Sequence, residues 1–460
     1  MDKNLGQRPP KSFWEADFGP YQPAPPLAGE LDVDVAIIGG GFTGLTVARE
    51  VMVDSPGARV AVLEARYVGF GASGRNGGFS MTLFGMEPEL TRWRWGEART
   101  RAAALYMERA VAFVRAVVSR HKLDVDYRHS GMLRVAYSAR QAKRLEGTLA
   151  LLENYGSRGR YHWREAPELA RRFGTQRYRA AIHEPDTAIL NPIKHVRALK
   201  RLAVDVGARV YEETPVTGVT RTPAGIMLST PGGSVRCQRL VIAVNAWSRR
   251  LQGVKRLRAS QVPVWTYQIV TEPIAQERWD EIGWRDHESF EDNRQLVHYF
   301  RRTACGRITM GGGDVVAPFG DGMAHDEAPR IWRHLVRHLH WLYPQLRDIG
   351  IAFRWGGPVS ANFDMTPEIG FIGDERVIYA NGCIGHGVSL TQLNGRLIAD
   401  LVQDKKTELS DFWIVNRRAI PWPPEPFSFP AKQAVRGILR AIDWFEERGL
   451  DKAPDRPGAP

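Results

Sequence analysis

The sequence predicts an α/β fold of two domains, and three observations predict it. A short apolar run, Val33 to Ile38, passes through a glycine-rich turn into helical periodicity, the order strand, turn, helix. A second glycine-rich run, "GFGASGRNGGFS" at residues 69–80, follows the next apolar strand. Further on, "SQVPVWTYQIVTEP" and "QLVHYFRRTACGRITMGGGD" read as aromatic-rich strands of a second, α+β domain with a mixed or antiparallel sheet. At 460 residues, 43% hydrophobic and 25% charged, the chain is long enough for two such cores.

The first turn has Gly39, Gly41 and Gly44 at the G-x-G-x-x-G positions, with Thr43 inside it. The first glycine allows the turn, the second lets backbone approach a pyrophosphate, and the third lets the helix pack on the strand, which makes this domain Rossmann-like. The helix N-terminus then faces the phosphates. The next strand, "ARVAVLEA", ends at Glu64, 20 residues after Gly44, where a carboxylate is expected to accept both ribose hydroxyls, with Ala65 and Arg66 beside it. An acidic residue there argues for NAD or FAD over NADP. The second glycine run chooses FAD, because an NAD site needs only one such loop. Gly71, Ala72, Gly77 and Gly78 make room for the cofactor, Ser73 donates to phosphate, and Arg75 and Asn76 meet the flavin edge or the substrate.

Composition excludes several alternatives. Three cysteines, Cys237, Cys305 and Cys383, support neither a disulfide framework nor a CxxC zinc site; no metal is expected, and a reducing cytoplasm fits. The proline-rich start lacks the apolar core of a signal peptide and reads as an extended lead-in over residues 1–30. The formal charge of +12 is spread over scattered arginines with no basic block and no zinc-finger or RNP-like motif, so no nucleic-acid partner is expected.

Taken together, "SFWEADF", "IIGGGFTGL", "VLEARYVGFGASGRNGG", "AILNPIKHVRALKRLAVDVGARV", "LVIAVNAWS", "GRITMGGGD", "RWGGPV" and "YANGCIGHGVSLTQLNGRLIADLV" resemble the D-amino-acid-oxidase-like superfamily of FAD-dependent amine oxidoreductases, γ-glutamylputrescine-oxidase-like branch. The resemblance implies an FAD domain of discontinuous segments, residues 31–90, 190–256 and 353–404, and a substrate domain of residues 91–189 and 257–352. It implies that Val216 and Val219 bracket the adenine, that Asn245, Trp247 and Gly357 border the cofactor, and that Gly385, His386, Gly387 and Val388 lie against the flavin ring. The segment "WGGPVSANFDMTPEIGFIG" lacks the cysteine by which sarcosine-oxidase-type relatives attach the ring, so FAD is expected to be non-covalent.

Strand alternation puts Trp265 with Tyr267, and Tyr299 with Arg301. From one face of the sheet, such aromatics and a guanidinium suit a small amine carrying an anionic end. The catalytic set expected is therefore His386, Tyr267, Tyr299 and Arg301, with O2 as acceptor and H2O2 as product. From Val262 to Asp404 there is no lysine to activate oxygen, which leaves another electron acceptor open. A D-amino-acid or glycine oxidase, and a non-enzymatic FAD- or nucleic-acid-binding protein, are the alternatives.

Residues 405–460 read as a proline-rich linker, an amphipathic helix with Val435, Ile438, Leu439, Ile442 and Phe445 on one side, and a disordered tail after Leu450. The helix is expected to pack on its own subunit or a partner, in a monomer or homodimer, with contact to an anionic membrane as the alternative.

Overall fold

A computed structural model describes residues 11–448 apart from residues 86, 158 and 255. The tail expected after Leu450 lies outside the described residues.

Two eight-stranded sheets organise the chain. The first runs in the order Glu368–Phe371, Val377–Asn381, Gly233–Ile242, Gly29–Ile38, Val60–Leu63, Arg209–Tyr211, and the strands Gly225–Thr230 and Gly218–Thr222 extend it off this path. Its four inner pairings from Val377–Asn381 to Arg209–Tyr211 are parallel. A parallel sheet is covered on both faces, which explains why Val35–Ile38 and Val60–Leu63 are unbroken apolar runs. The helices Phe42–Asp54 and Gly387–Val402 pack side by side on one of those faces.

The second sheet runs Ile351–Ala361, Val262–Thr271, Ile308–Gly312, His298–Arg302, Ser289–Asp292, Met132–Ala136, Ala180–Glu184, His162–Glu165. All its neighbours are antiparallel except Ser289–Asp292 with Met132–Ala136. Ile351–Ala361 pairs with Val262–Thr271 along its length, so the part of it expected in the FAD domain, from residue 353, joins this sheet instead.

Register fixes which side chains share a face, since directly opposed residues point the same way. Trp355, Gln268, Gly311, Tyr299, Glu291 and Arg134 form one such row across six strands. This face turns to the first domain: Gln268 Nε2 and Trp355 Nε1 donate to the Arg75 carbonyl. Trp265 and Tyr267 belong to the opposite face and pack with Ile269, Phe290 and Phe300 over the helix Pro329–Leu342. The expectation that Trp265, Tyr267, Tyr299 and Arg301 line one face is therefore corrected. Alternation within a strand says nothing about phase between strands.

The lead-in is not simply extended. Phe13–Phe18 is a helix capped by Ser12, with Phe13 and Trp14 buried. Ser12 Oγ donates to the Gly74 carbonyl and Trp14 Nε1 to the Asn76 carbonyl, so this helix braces the second glycine run. The first long helix runs from Pro88 to Arg120 across a break at Gly96.

The C-terminal helix, Ser428–Glu447, docks through its polar side. Asp443 accepts the N–H groups of Gln295 and Leu296 at 2.7 and 2.9 Å, Lys432 donates to the Pro318 carbonyl, and Arg436 pairs with Asp314. Its apolar side faces outward, with Val435 57%, Ile438 60% and Phe445 57% exposed. The helix packs on its own chain as expected, but with the opposite face, because its buried ions find partners that its apolar side chains do not. Among the described residues no helix is long and apolar enough to cross a membrane.

Candidate functional site

A cavity of about 460 Å³ opens where the strand ends of the first sheet meet both glycine runs. Its wall includes Gly39, Gly41 and Thr43 from the first run, Glu64, Ala65 and Arg66 from the end of the second strand, and Gly71, Ala72, Ser73, Arg75 and Asn76 from the second run. Val216, Asn245, Trp247, Gly385, Gly387 and Val388 complete the part foreseen from sequence.

Two helices aim their N-termini at this space. Neither Phe42–Asp54 nor Gly387–Val402 is capped by the side chain of its own N-cap residue, so first-turn N–H groups other than that of Phe42 can meet an anion or an electron-rich ring edge. Ser73 Oγ accepts the Phe42 N–H at 3.1 Å, which ties the two glycine runs together and leaves the serine proton free to donate. Glu64 accepts from the Gly40 and Arg66 N–H groups at 2.8 and 3.0 Å. Burial raises its pKa against the lowering effect of these N–H groups.

Several expected contacts fall elsewhere. Gly44 serves packing, since a Cβ there would overlap the Gly39 carbonyl, and Gly357 lies against the Arg75 side chain. Gly77 faces Phe79 and Tyr299. Gly78, at φ 75°, sits against the Leu190 carbonyl and Arg301. Neither Gly77 nor Gly78 lines the cavity; the second run is glycine-rich partly because protein backbone approaches it. Val219 is buried in the strand Gly218–Thr222. Asn76 reaches the cavity wall, but its amide closes a local turn with Ala72, Ser73 and Gly78.

The expected catalytic set also changes. Arg301 is 2% exposed, donates from each of its three nitrogens to the carbonyls of Gly77, Leu190 and Arg302, stacks 4.7 Å from the Trp14 ring, and does not line the cavity. Tyr267 is fully buried and donates to the His325 carbonyl. Tyr299 lies on the face turned to the first domain, edge-on to Phe79, and does not line the cavity. His386 is half-buried between two cavity residues, its own ring outside the wall and its Nδ1 without a partner. Burial and the Arg134 charge lower its pKa to about 4, which makes it neutral at pH 7.

Sequence reasoning missed wall residues from segments without motifs: Arg250, Met323 and Asp326. Asp326 holds Arg75 Nη1 at 2.8 Å, and the Arg75 guanidinium lies 4.9 Å from the Phe70 ring. Cys383 was counted only as a thiol, yet its place in the turn before Gly385 puts it on the wall. Away from the cavity, Asp292, His298 and His338 gather three ligand-type atoms within 4.8 Å, but Arg294 and His298 already hydrogen-bond the carboxylate.

Comparison with known proteins decides what this cavity belongs to. The profile of the DAO family, described as FAD dependent oxidoreductase, matches residues 34–401. The chain belongs to the DAO family. It is an FAD-dependent enzyme acting on CH–NH bonds, and its DAO fold is shared with glycine oxidase from Geobacillus kaustophilus at a TM-score of 0.70 and 22% identity, over 84% of this chain and 100% of that one. L-proline dehydrogenase from P. horikoshii superimposes with a TM-score of 0.71 at 22% identity, over 85% and 97%. Among curated DAO relatives, Gamma-glutamylputrescine oxidoreductase of Escherichia coli (strain K12) is 29% identical over 85% of this chain and 88% of its own length. Glycine oxidase of Geobacillus kaustophilus (strain HTA426) is 25% identical over 81% and 94%. The wall fits the cofactor of this DAO protein: a helix N-terminus at Phe42 with Ser73 beside it for the pyrophosphate, a carboxylate for the ribose, and a Cβ-free loop beside Trp247.

Proposed function

We propose that the chain oxidises a small primary or secondary amine carrying a carboxylate or phosphonate, with the first-sheet segments holding FAD and the second sheet forming the substrate side. The observation that carries this reading is the row on the sheet face turned to the FAD domain, which runs through Arg134, a guanidinium only 6% exposed, to Ile182 and Trp163. In this reading Arg134, held by Glu87 at 3.1 Å, takes the anion-pairing role expected of Arg301.

Gly39, Gly41, Thr43, Ser73 and the N-terminus of Phe42–Asp54 would hold the pyrophosphate, Glu64 the ribose, and Gly385, Gly387 and Val388 the flavin edge, without a covalent link. Bound FAD supplies a hydride acceptor at N5 for the carbon next to the amine, leaving an imine that water hydrolyses to an aldehyde and an amine or ammonia. The protein's part is orientation: Gln268 and Trp355 fix the Arg75 backbone, and the sheet row holds the substrate in line with it. His386, neutral at pH 7, can accept a proton at Nδ1.

O2, giving H2O2, is the acceptor we favour. The second reading, a dehydrogenase using another acceptor, is supported by the lysine-free stretch from Val262 to Asp404. The test is anaerobic addition of amines with anionic tails to the purified flavoprotein. Loss of the oxidised flavin spectrum is expected, and reoxidation on admitting air decides between the two acceptors. A flavin that no amine reduces would overturn the proposal.

A further inference from the structure

The helix Ser428–Glu447 lies beyond residues 34–401, which the DAO profile matches, and contributes nothing to the wall of the cofactor cavity. Its carboxylates are spent on the protein. Asp443 accepts two backbone N–H groups, Glu446 pairs with Arg144 at 2.7 Å, and Glu447 pairs with Arg294. On the opposite side Phe427, Ala431, Val435, Ile438, Ile442 and Phe445 recur at helical spacing in a stripe about 27 Å long that no charge interrupts. Phe427 is 70% exposed and Trp444, at the edge of the stripe, 53%. Phe319, packed against Phe429, adds another exposed ring near the helix start. An apolar face of this extent left open to water marks a contact surface.

The free charges beside the stripe are of one sign. On the flank that Trp444 occupies, the exposed Arg448 guanidinium lies 3.6 Å from the Trp444 ring. Arg330 and Arg337, exposed on the helix Pro329–Leu342, line a cavity of about 270 Å³ together with Arg440 and Trp444. The carboxylates of that cavity are engaged: Asp314 holds Arg436 and Arg440, Asp443 its two N–H groups and Glu447 Arg294, which leaves Arg330, Arg337 and Arg448 without a carboxylate partner among the described residues.

Charge decides what the face meets. A second copy would bring this arginine flank towards its own duplicate, in a chain that already carries +12. An anionic bilayer answers both features: its acyl boundary takes the apolar stripe and its phosphates take the arginines, with the Trp444 ring at headgroup level between them.

We infer that Ser428–Glu447 lies flat on an anionic membrane surface, with Ile438, Ile442 and Phe445 entering the acyl boundary and Arg330, Arg337 and Arg448 meeting headgroup phosphates. The helix does not cross the bilayer, because its polar side stays docked on the protein. Binding of this kind does not depend on which amine the cofactor cavity serves.

The test is cosedimentation of the flavin-loaded full chain with vesicles of phosphatidylcholine alone or containing about one-third phosphatidylglycerol, with light scattering to give the mass in solution. Wild type is expected to bind the phosphatidylglycerol vesicles at least about tenfold more tightly, and raising salt from about 0.1 M to about 0.5 M is expected to remove most of that preference. Ile438→Glu combined with Phe445→Glu is expected to weaken vesicle binding at least about tenfold with flavin content and thermal unfolding unchanged, since both side chains are exposed. Arg330→Gln combined with Arg337→Gln is expected to reduce the phosphatidylglycerol preference about tenfold. Failure of wild type to sediment with these vesicles, equal binding by the Ile438→Glu, Phe445→Glu variant, or an unchanged preference in the arginine variant overturns the inference. A mass that halves in the Ile438→Glu, Phe445→Glu variant, with no vesicle binding by wild type, also overturns it and gives the face to a second copy.

Discussion

Gln268 and Trp355, opposed on paired strands, donate to one acceptor, the backbone carbonyl of Arg75, at 2.6 and 2.9 Å. One sheet row thereby fixes the height of the second glycine run over the substrate side. Gln268→Leu keeps the volume and removes one donor. We expect a loss of about 1–2 kcal/mol in stability and weaker FAD binding. Urea unfolding and flavin-release titrations check this; unchanged FAD affinity would mean the carbonyl is held by Trp355 alone.

Glu64 is bound by two backbone N–H groups on the wall of the cavity. Glu64→Ala removes both the support for Gly40 and the acceptor proposed for the ribose hydroxyls. FAD affinity is expected to fall by about tenfold to a hundredfold, with Glu64→Gln intermediate. Fluorescence titration of the apoprotein with FAD measures it.

Gly44 and Gly57 form a matched pair for testing packing at the first glycine run. A Cβ at Gly44 would overlap the Gly39 carbonyl, whereas one at Gly57 meets nothing within 4 Å. Gly44→Ala is expected to cost about 2 kcal/mol or more, and Gly57→Ala to stay within about 0.5 kcal/mol. Thermal unfolding of both variants gives the comparison.

His195 is fully buried with Nε2 3.0 Å from Gln392 Oε1, and burial lowers its pKa to about 4 from the ordinary 6.5. The fold thus favours the neutral ring. Between these values the unfolded chain binds more protons, so this contribution is complete above pH 6.5 and is lost as pH falls toward 4. The loss is on the order of 3 kcal/mol. His195→Asn should flatten the acid slope of stability, read from urea unfolding at several pH values; an unaltered slope would contradict the assignment.

Asp443 anchors the C-terminal helix through two N–H groups. Asp443→Ala is expected to free this helix for limited proteolysis at rates at least about tenfold above wild type, through a loss of about 1–3 kcal/mol. Mass spectrometry of the fragments locates the cut.

Much of the FAD side was legible because its signals are local. Gly39, Gly41, Thr43, Glu64, Ser73 and Gly387 lie in short runs whose spacing reports strand, turn and helix directly, and all six line one cavity. The lead-in helix was hidden, since Phe13 and Trp14 become buried only when the second glycine run is there to receive them.

By itself the sequence determined the α/β class and pointed to the two glycine runs and Glu64 that line one cavity, since each depends on contacts within one supersecondary unit. Only the tertiary structure decided which side chains of the second sheet face the first domain. Arg301 looks like a free cation in its strand and is consumed by three carbonyls, one of them from residue 77. Arg134 and Glu291 meet through the register of strands 157 residues apart and carry no motif. Which ion is spent and which remains available depends on partners brought together by folding, and no spacing along the chain encodes that.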